Sequence, residues 1–292
     1  MRKNDEVSLK IVKFKLMYFK THTLEGEISN YIESIFHVKN FMPDHSIERV
    51  VPTGHLFVIF ELDGFKRNTF DNETLKPINS FTKVWVSGIH KNFISISAHQ
   101  NSEMFVIQFK PFGAYPFLYF SIDELNDKVI AGEDIFGEEI LKIREEILSK
   151  KDSKEKFMSA ENWLNRRFNQ AKIPPIEFLN IVKQIQNEPD TNYKKIIGNY
   201  SKTQKYLINQ FKKYIGLTPK YYQRILRFNE ILQLIHNAKK IKWSHVAYQC
   251  GYSDQSHFIK EFKHFSGINP QEFLEYNFHQ DETNFFPLDR EG

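Results

Sequence analysis

Hydrophobic and polar positions change rhythm about half-way along the chain. In the first part, runs rich in Val, Ile and Phe alternate or cluster between turn residues, which predicts strands within residues 47–62, 83–87, 93–98 and 103–110. Pro52-Thr53-Gly54, Asp63-Gly64 and Ser87-Gly88 separate them. After Pro116 apolar residues recur at three- and four-residue spacing with charges between, which predicts helices over 140–150 and 153–168. Ala171-Lys172-Ile173-Pro174-Pro175 reads as a linker, since two prolines remove backbone donors and disfavour helix just before them. From Ile176 to about Asn277 the period is helical, with stops at Asn187-Glu188-Pro189, Gly216, Asn237, Gly251 and Gly267. The expected fold class is α+β: a mixed, β-rich domain over 1–170, a linker at 171–175, an all-α domain over 176–277 and a tail over 278–292.

The helical part repeats itself at a fixed offset of 51 residues without a gap. Gln204 pairs with Gln255, Leu207 with Phe258, Phe211 with Phe262 and Lys212 with Lys263. Gly216 pairs with Gly267, Thr218 with Asn269, Pro219 with Pro270 and Tyr222 with Phe273. In each copy Thr203 or Asp254 supplies an N-cap oxygen for the free N–H groups of the first turn. Leu207, Phe211 and Tyr214, and likewise Phe258, Phe262 and Phe265, fall at i, i+4, i+7 and form one buried stripe per helix. Gly216 and Gly267 suit the left-handed residue that ends a helix, and Thr218-Pro219 and Asn269-Pro270 begin the next ones. A short helix precedes each copy, over 193–200 and 243–250, and a long one over 219–235 joins them. Cys250, beside Val246 and Ala247, reads as a small buried hydrophobe.

Charge singles out the same block. Residues 176–276 hold 15 Lys+Arg against 8 Asp+Glu, residues 1–175 hold 24 of each, and the tail 277–292 holds four acids and one Arg. Positive charge gathered in one helical domain is the footprint of a phosphate-binding module, although a solvated basic surface explains the charge equally well. The faces opposite the apolar stripes carry Lys205, Asn209, Lys212 and Lys213 in the first copy and Gln255, Ser256, Lys260 and Lys263 in the second. Asn and Gln can pair bidentately with adenine, and Lys can donate to guanine or phosphate. For a single helix a solvated face is the better reading; a duplicated one inside a basic domain favours DNA. Two such helices enter successive major grooves when they stand about 34 Å apart.

These residues resemble the AraC/XylS family of bacterial transcription regulators. The second unit carries the likeness: Val246-Ala247, then Cys250-Gly251-Tyr252-Ser253-Asp254-Gln255-Ser256-His257-Phe258, then Phe262-Lys263, then Gly267-x-Asn269-Pro270. The resemblance implies an all-α domain of seven helices with two helix-turn-helix subdomains joined by a long helix. It places base contacts at Lys205, Ile208 and Asn209, and at Gln255, Ser256, His257 and Lys260. Lys212, Lys213, Arg224 and Lys263 are expected on the phosphate backbone. The first unit departs from the pattern: Ile197 stands where the family prefers Ala, Ser201 where the turn usually has Gly, and Asn209 where Arg is common. The N-terminal half resembles the sensor region of one subgroup through Arg49-Val50-Val51-Pro52-Thr53-Gly54, Gly88 and Phe109-Lys110-Pro111-Phe112-Gly113. That implies effector binding, dimerisation or both.

Other chemistries find little support. No phosphate loop, G-x-S-x-G elbow or H-E-x-x-H appears. The eleven histidines form no ligand cluster by spacing; His90 and His99 could converge on a metal, whereas His37, His45 and His55 read as singles. An alkyl-transfer enzyme fused to the helical domain would need dedicated cysteines, and the chain has one, which also forbids an internal disulfide and suits a reducing compartment. Among 28 phenylalanines and 13 tyrosines, Phe57, Phe60, Phe105, Phe109 and Trp85 are first suspects for lining an effector pocket, with the protein core as the alternative. The start lacks the apolar stretch of a signal peptide and no run of 18 apolar residues occurs, so a cytoplasmic, non-enzymatic protein is expected, with no cofactor and no metal. Expected partners are double-stranded DNA, with a small-molecule effector, RNA polymerase and a second copy of the chain as further candidates, and no membrane. Two readings compete with sequence-specific regulation: an effector or interaction module that binds DNA weakly or non-specifically, motivated by the diverged first unit, and an enzyme acting through residues 1–175.

Overall fold

The computed structural model describes residues 17–189, 191, 193–198, 200–236, 241–275 and 284–289. Asn237, an expected helix stop, the side chain of Ile197, and tail residues 278–283 and 290–292 lie outside the described residues.

The N-terminal half is built on two antiparallel sheets. Its strands are β1 (Tyr18–His22), β2 (Ile32–Phe41), β3 (Ile47–Val50), β4 (Phe57–Glu61), β5 (Arg67–Phe70), β6 (Pro77–Phe81), β7 (Val84–Ser87), β8 (Ile94–Ser97), β9 (Ser102–Phe109) and β10 (Val129–Ala131). A last strand, β11 (Phe285–Pro287), comes from the far end of the chain. One sheet runs β1-β2-β9-β4-β7-β10 and the other β11-β3-β8-β5-β6. The expected strand over 47–62 is two strands, because Pro52-Thr53-Gly54 breaks it and Gly54 adopts a φ of 80°. β2, the longest strand, was hidden by its polar residues. His37 and Lys39 are satisfied across the sheet by Glu103 of β9, at 2.9 and 3.2 Å. β10 lies in the stretch after Pro116 where only helical rhythm was visible; it pairs with the edge of β7.

Helices α1 (Tyr115–Leu118), α2 (Gly132–Phe136), α3 (Glu139–Ser149) and α4 (Ser153–Arg167) follow, and cover the outer face of the first sheet. Strand parity sorts the side chains. Val58, Phe60, Phe105 and Ile107 are fully buried on that outer face, where Phe60 meets the Trp163 ring edge-on at 6.4 Å and Phe105 meets Phe157 at 5.5 Å. Their neighbours Phe57, Ile59 and Val106 point the other way, into a cavity lined by both sheets.

The C-terminal domain is helical: α5 (Ile176–Asn187), α6 (Tyr193–Gly198), α7 (Gln204–Ile215), α8 (Pro219–His236), α9 (Trp243–Gln249), α10 (Gln255–Ser266) and α11 (Pro270–Glu275). These are the seven helices that the resemblance implied. A single apolar core passes from the sheets through α5 and α8 to α10. No described helix is long and apolar enough to cross a membrane.

At the junction, the turn over residues 122–125 packs beneath the bare backbone of Gly88. A methyl there would stand 1.9 Å from the Leu125 carbonyl oxygen. Gly88→Ala should therefore cost about 1–3 kcal/mol, the usual price of overpacking. Gly198→Ala, whose methyl meets open space, should leave stability unchanged or slightly raised. Urea unfolding of the two variants checks the contrast; equal stabilities would contradict this packing.

Candidate nucleic-acid interface and sheet cavity

The two repeated helices are bounded by the signals read from the sequence. Thr203 Oγ accepts from the Tyr206 N–H at 3.2 Å, and Asp254 Oδ1 from the His257 N–H at 2.8 Å. Their C-terminal residues Gly216 and Gly267 have φ of 89° and 77°, in the left-handed region. Thr218 Oγ accepts from the Tyr221 N–H, and Asn269 Oδ1 from Gln271 and Glu272 N–H groups, while Glu272 reaches back to the Asn269 N–H at 3.0 Å in a capping box.

Aromatic stripes fasten both helices to the domain. Phe211 of α7 meets Phe178 at 5.1 Å and Tyr222 at 6.3 Å. Phe262 of α10 meets Phe228 at 5.4 Å and Phe273 at 5.2 Å. What remains outside is mainly polar: Lys205, Asn209 and Lys212 on α7, and Gln255, Ser256, His257, Lys260 and Lys263 on α10, are exposed, beside Tyr206 and Ile259. Ile208 is half-buried. Two expected phosphate contacts are used elsewhere. The Lys213 ammonium lies over the Tyr115 ring at 4.9 Å, against the N-terminal domain. Arg224 donates from Nε to Glu261 Oε2 at 3.0 Å and stacks on Tyr221 at 4.6 Å.

Glu261 is the group that sequence reading missed. It sits on the inner side of α10, 6% exposed, and gathers Arg224, Arg227 at 3.7 Å and the Tyr252 hydroxyl at 3.2 Å. The signal was present: an acid between Phe258, Phe262 and Phe265 lies on an apolar face, and a buried carboxylate needs cations. Arg224 and Arg227, three apart on α8, are on one face of that helix. Burial first, and Glu261 next, push the Tyr252 hydroxyl far above the ordinary tyrosine range.

The cavity between the sheets holds about 430 Å³. Its middle is apolar, with Phe36, Phe57, Ile59, Phe81, Trp85 and Val106. Of the five suspected aromatic residues, Phe57 and Trp85 face it, whereas Phe60, Phe105 and Phe109 belong to the opposite, covered face. At one end Glu61, fully buried, accepts from Trp85 Nε1 at 2.7 Å and pairs with Arg67 at 2.8 Å. Burial raises the Glu61 carboxyl above its usual range, against the pull of Arg67. Arg67 also pairs with Asp63, and its Nη1 has no hydrogen-bond partner among the described residues. At the other end lie His55, whose Nδ1–H donates to the Phe109 carbonyl at 2.8 Å, and His90, which burial holds at about 4. Among the described residues no group of three or more His, Cys, Asp and Glu side chains is placed to hold a metal ion.

The lip of the cavity touches the helical domain. Gly54 faces the Tyr222 ring and Ile225, its Cβ direction ending 3.5 Å from the ring. Asn229 Nδ2 donates to the Pro52 carbonyl at 3.0 Å. The chain's end completes this wall: β11 pairs with β3, and Asp289 accepts from the Ile47 N–H at 2.8 Å.

Residues 200–276 match a helix-turn-helix domain family, and residues 22–131 match a domain of unknown function, DUF6597. No curated protein matches the chain. Among solved structures, ToxT from Vibrio cholerae O395 is similar at 15% identity, covering 88% of this chain and 97% of that one, with a TM-score of 0.44. Wild-type ToxT from Vibrio cholerae strain SCE256, with an unsaturated fatty acid bound, gives 15% identity, 94% and 97% coverage and a TM-score of 0.43. An AraC-type transcriptional regulator from Chromobacterium violaceum gives 23% identity over 33% of this chain and 87% of that one, with a TM-score of 0.30.

Replacing Glu261 with Gln strands two cations against α10. The expected loss is about 2–3 kcal/mol, less than the roughly 3–5 of a fully buried pair, because the Arg224 and Arg227 side chains keep 25% and 19% of their exposure. Denaturant unfolding measures it; a loss below about 0.5 kcal/mol would mean that the network holds nothing.

Proposed function

We propose that the protein, whose residues 200–276 match a helix-turn-helix domain family and resemble the AraC/XylS pattern, regulates transcription by reading two successive major grooves with α7 and α10. The observation that carries the reading is the duplicated, N-capped helix whose outer face holds Lys205 and Asn209 in one copy and Gln255 and Lys260 in the other, all exposed. Base contacts fall to these four with Ile208, Ser256 and His257. Lys212 and Lys263 position the duplex through phosphates. Arg224 stays on Glu261, holding α10 to α8, and Lys213 stays on Tyr115.

The N-terminal domain serves as the effector domain. The cavity is within the usual size of small-molecule sites, about 300–1,000 Å³. Its apolar middle suits a compact hydrophobic body, and the unpaired Arg67 Nη1 suits a hydrogen-bond acceptor at one end. Glu61 and Asp63 already surround Arg67, so a neutral carbonyl or hydroxyl fits that end better than a second anion.

Binding to a promoter duplex should weaken steeply with salt, because each phosphate contact releases counterions. Gln255→Ala and Lys260→Ala should each cost about 1–3 kcal/mol of discrimination between promoter and random DNA. Fluorescence titration at several salt concentrations checks both. Equal affinity for promoter and random DNA in the unaltered protein would favour the non-specific module instead.

A further inference from the structure

The α-helical repeat ends twice in the same way, and the N-terminal domain holds both ends. In the first copy, Asn126 Nδ2 donates to the carbonyl of Gly216, at the end of α7. In the second, Arg49 Nη1 donates to the carbonyl of Ser266, in the last turn of α10, at 2.9 Å. Gly216 and Gly267 are equivalent under the 51-residue offset, so the two grips fall on neighbouring positions of one repeat. The last carbonyls of a helix have no partner within it, which leaves them open to donors from outside. A guanidinium at such an end also meets the negative pole of the helix.

Both grips are tight. A methyl on Gly216 would stand 2.7 Å from Asn126 Oδ1 and 3.2 Å from Ile122. One on Gly267 would stand 2.4 Å from Arg49 Nη1 and 2.6 Å from the Phe93 ring. Arg49 is 8% exposed, with its guanidinium 4.0 Å from the centre of Phe93 and 5.8 Å from that of Phe286. Phe286 stands opposite Arg49 in the β11–β3 pairing and meets Phe273 of α11 at 5.7 Å. The end of the chain thus closes over the second grip. The first is braced by the buried Ile122 and Leu125 of the same turn.

We propose that Arg49 and Asn126 are positioning residues for DNA reading: through them the sheet domain fixes the separation and tilt of α7 and α10. The claim rests on the reading of these helices as groove readers. Between the two units runs one rod, α8, to which Phe211–Tyr222 fastens α7 and Phe262–Phe228 and the Glu261 network fasten α10. A rod gripped near its ends can still bend and twist. A third body, hydrogen-bonded as two sheets and holding both helices by equivalent turns, removes that freedom. Spacing matters because one extra base pair between half-sites displaces the second target by about 3.4 Å and rotates it around the duplex.

The test uses the full chain with Asn126→Ala, Arg49→Met, the double variant and Arg49→Lys. Met keeps an apolar stem against Phe93 and removes the donor; Lys keeps a cation beside the Ser266 carbonyl. Two readouts are taken on variants whose circular dichroism matches the unaltered protein. The first is amide hydrogen exchange over residues 213–219 and 263–270, expected at least about tenfold faster in the double variant, with β4 and β9 unchanged. The second is affinity for a duplex selected by the unaltered protein from random sequence, with its spacer lengthened or shortened by one base pair. The unaltered protein should prefer its own spacer by about tenfold or more, the double variant by threefold or less, and Arg49→Lys should restore most of the preference. Unchanged exchange at both helix ends overturns the grips. Faster exchange with an intact spacing preference, or an affinity gain equal at every spacer, overturns the positioning role. If the unaltered protein enriches no sequence, DNA reading itself fails and the proposal with it, a result visible before any variant is made.

Discussion

The architecture depends on one close approach: the long helix α8 lies against bare backbone at the lip of the cavity. Gly54 turns the chain there: its φ of 80° suits a residue without a Cβ, and the Tyr222 ring and Ile225 pack over it at ordinary van der Waals distance from its Cβ direction, 3.5 and 3.6 Å. Asn229 then satisfies the Pro52 carbonyl, which would otherwise be turned toward a helix with no donor to offer. Because Tyr222, Ile225 and Phe228 are fully buried, the sheets and the helical domain share a continuous apolar core.

In the proposed function, that junction joins the sensing cavity to the helix between the two readers. Val51, Pro52, Thr53 and Gly54 line the cavity, and Pro52 and Gly54 also meet α8. Glu48 and Val50 line it on either side of Arg49 in sequence, and Gly88 lines it while resting on the turn that carries Asn126. In the proposed function an occupant that shifts these strands by a few tenths of an ångström acts on close-packed neighbours, which pass a displacement on rather than absorb it. Asn284 and Phe285 complete the wall, so the last described strand belongs to the cavity as much as to the chain's end.

What was legible in the sequence was local. N-caps, helix-ending glycines and the 51-residue offset each depend on a few neighbouring residues, and all appear where the pattern placed them. What was hidden depends on partners far away in sequence. β2 carries charge because Glu103 answers it, and Glu261 is tolerated inside α10 because α8 brings two arginines. Arg224 was expected on the phosphate backbone with no sign of its acid partner, which lies 37 residues on. The five suspected aromatic residues divided by strand parity, which a one-residue change in register would have reversed. The acidic composition of the tail gave no sign of a strand, yet residues 285–287 pair with β3 and Asp289 accepts from the Ile47 N–H. The sensor-like motif around Arg49–Gly54 gave no hint by itself that it faces the helical domain, since its partners there, such as Asn229 and Ser266, lie 177 and 217 residues away.

The central claim is that two copies of one helical unit face adjoining turns of a duplex. Methylation interference on a selected promoter fragment tests it most directly, because it reports guanine N7 positions in the major groove. The account predicts two patches of interference on one face of the DNA, centred about 10 base pairs apart. A single patch, or two patches on opposite faces, would contradict it.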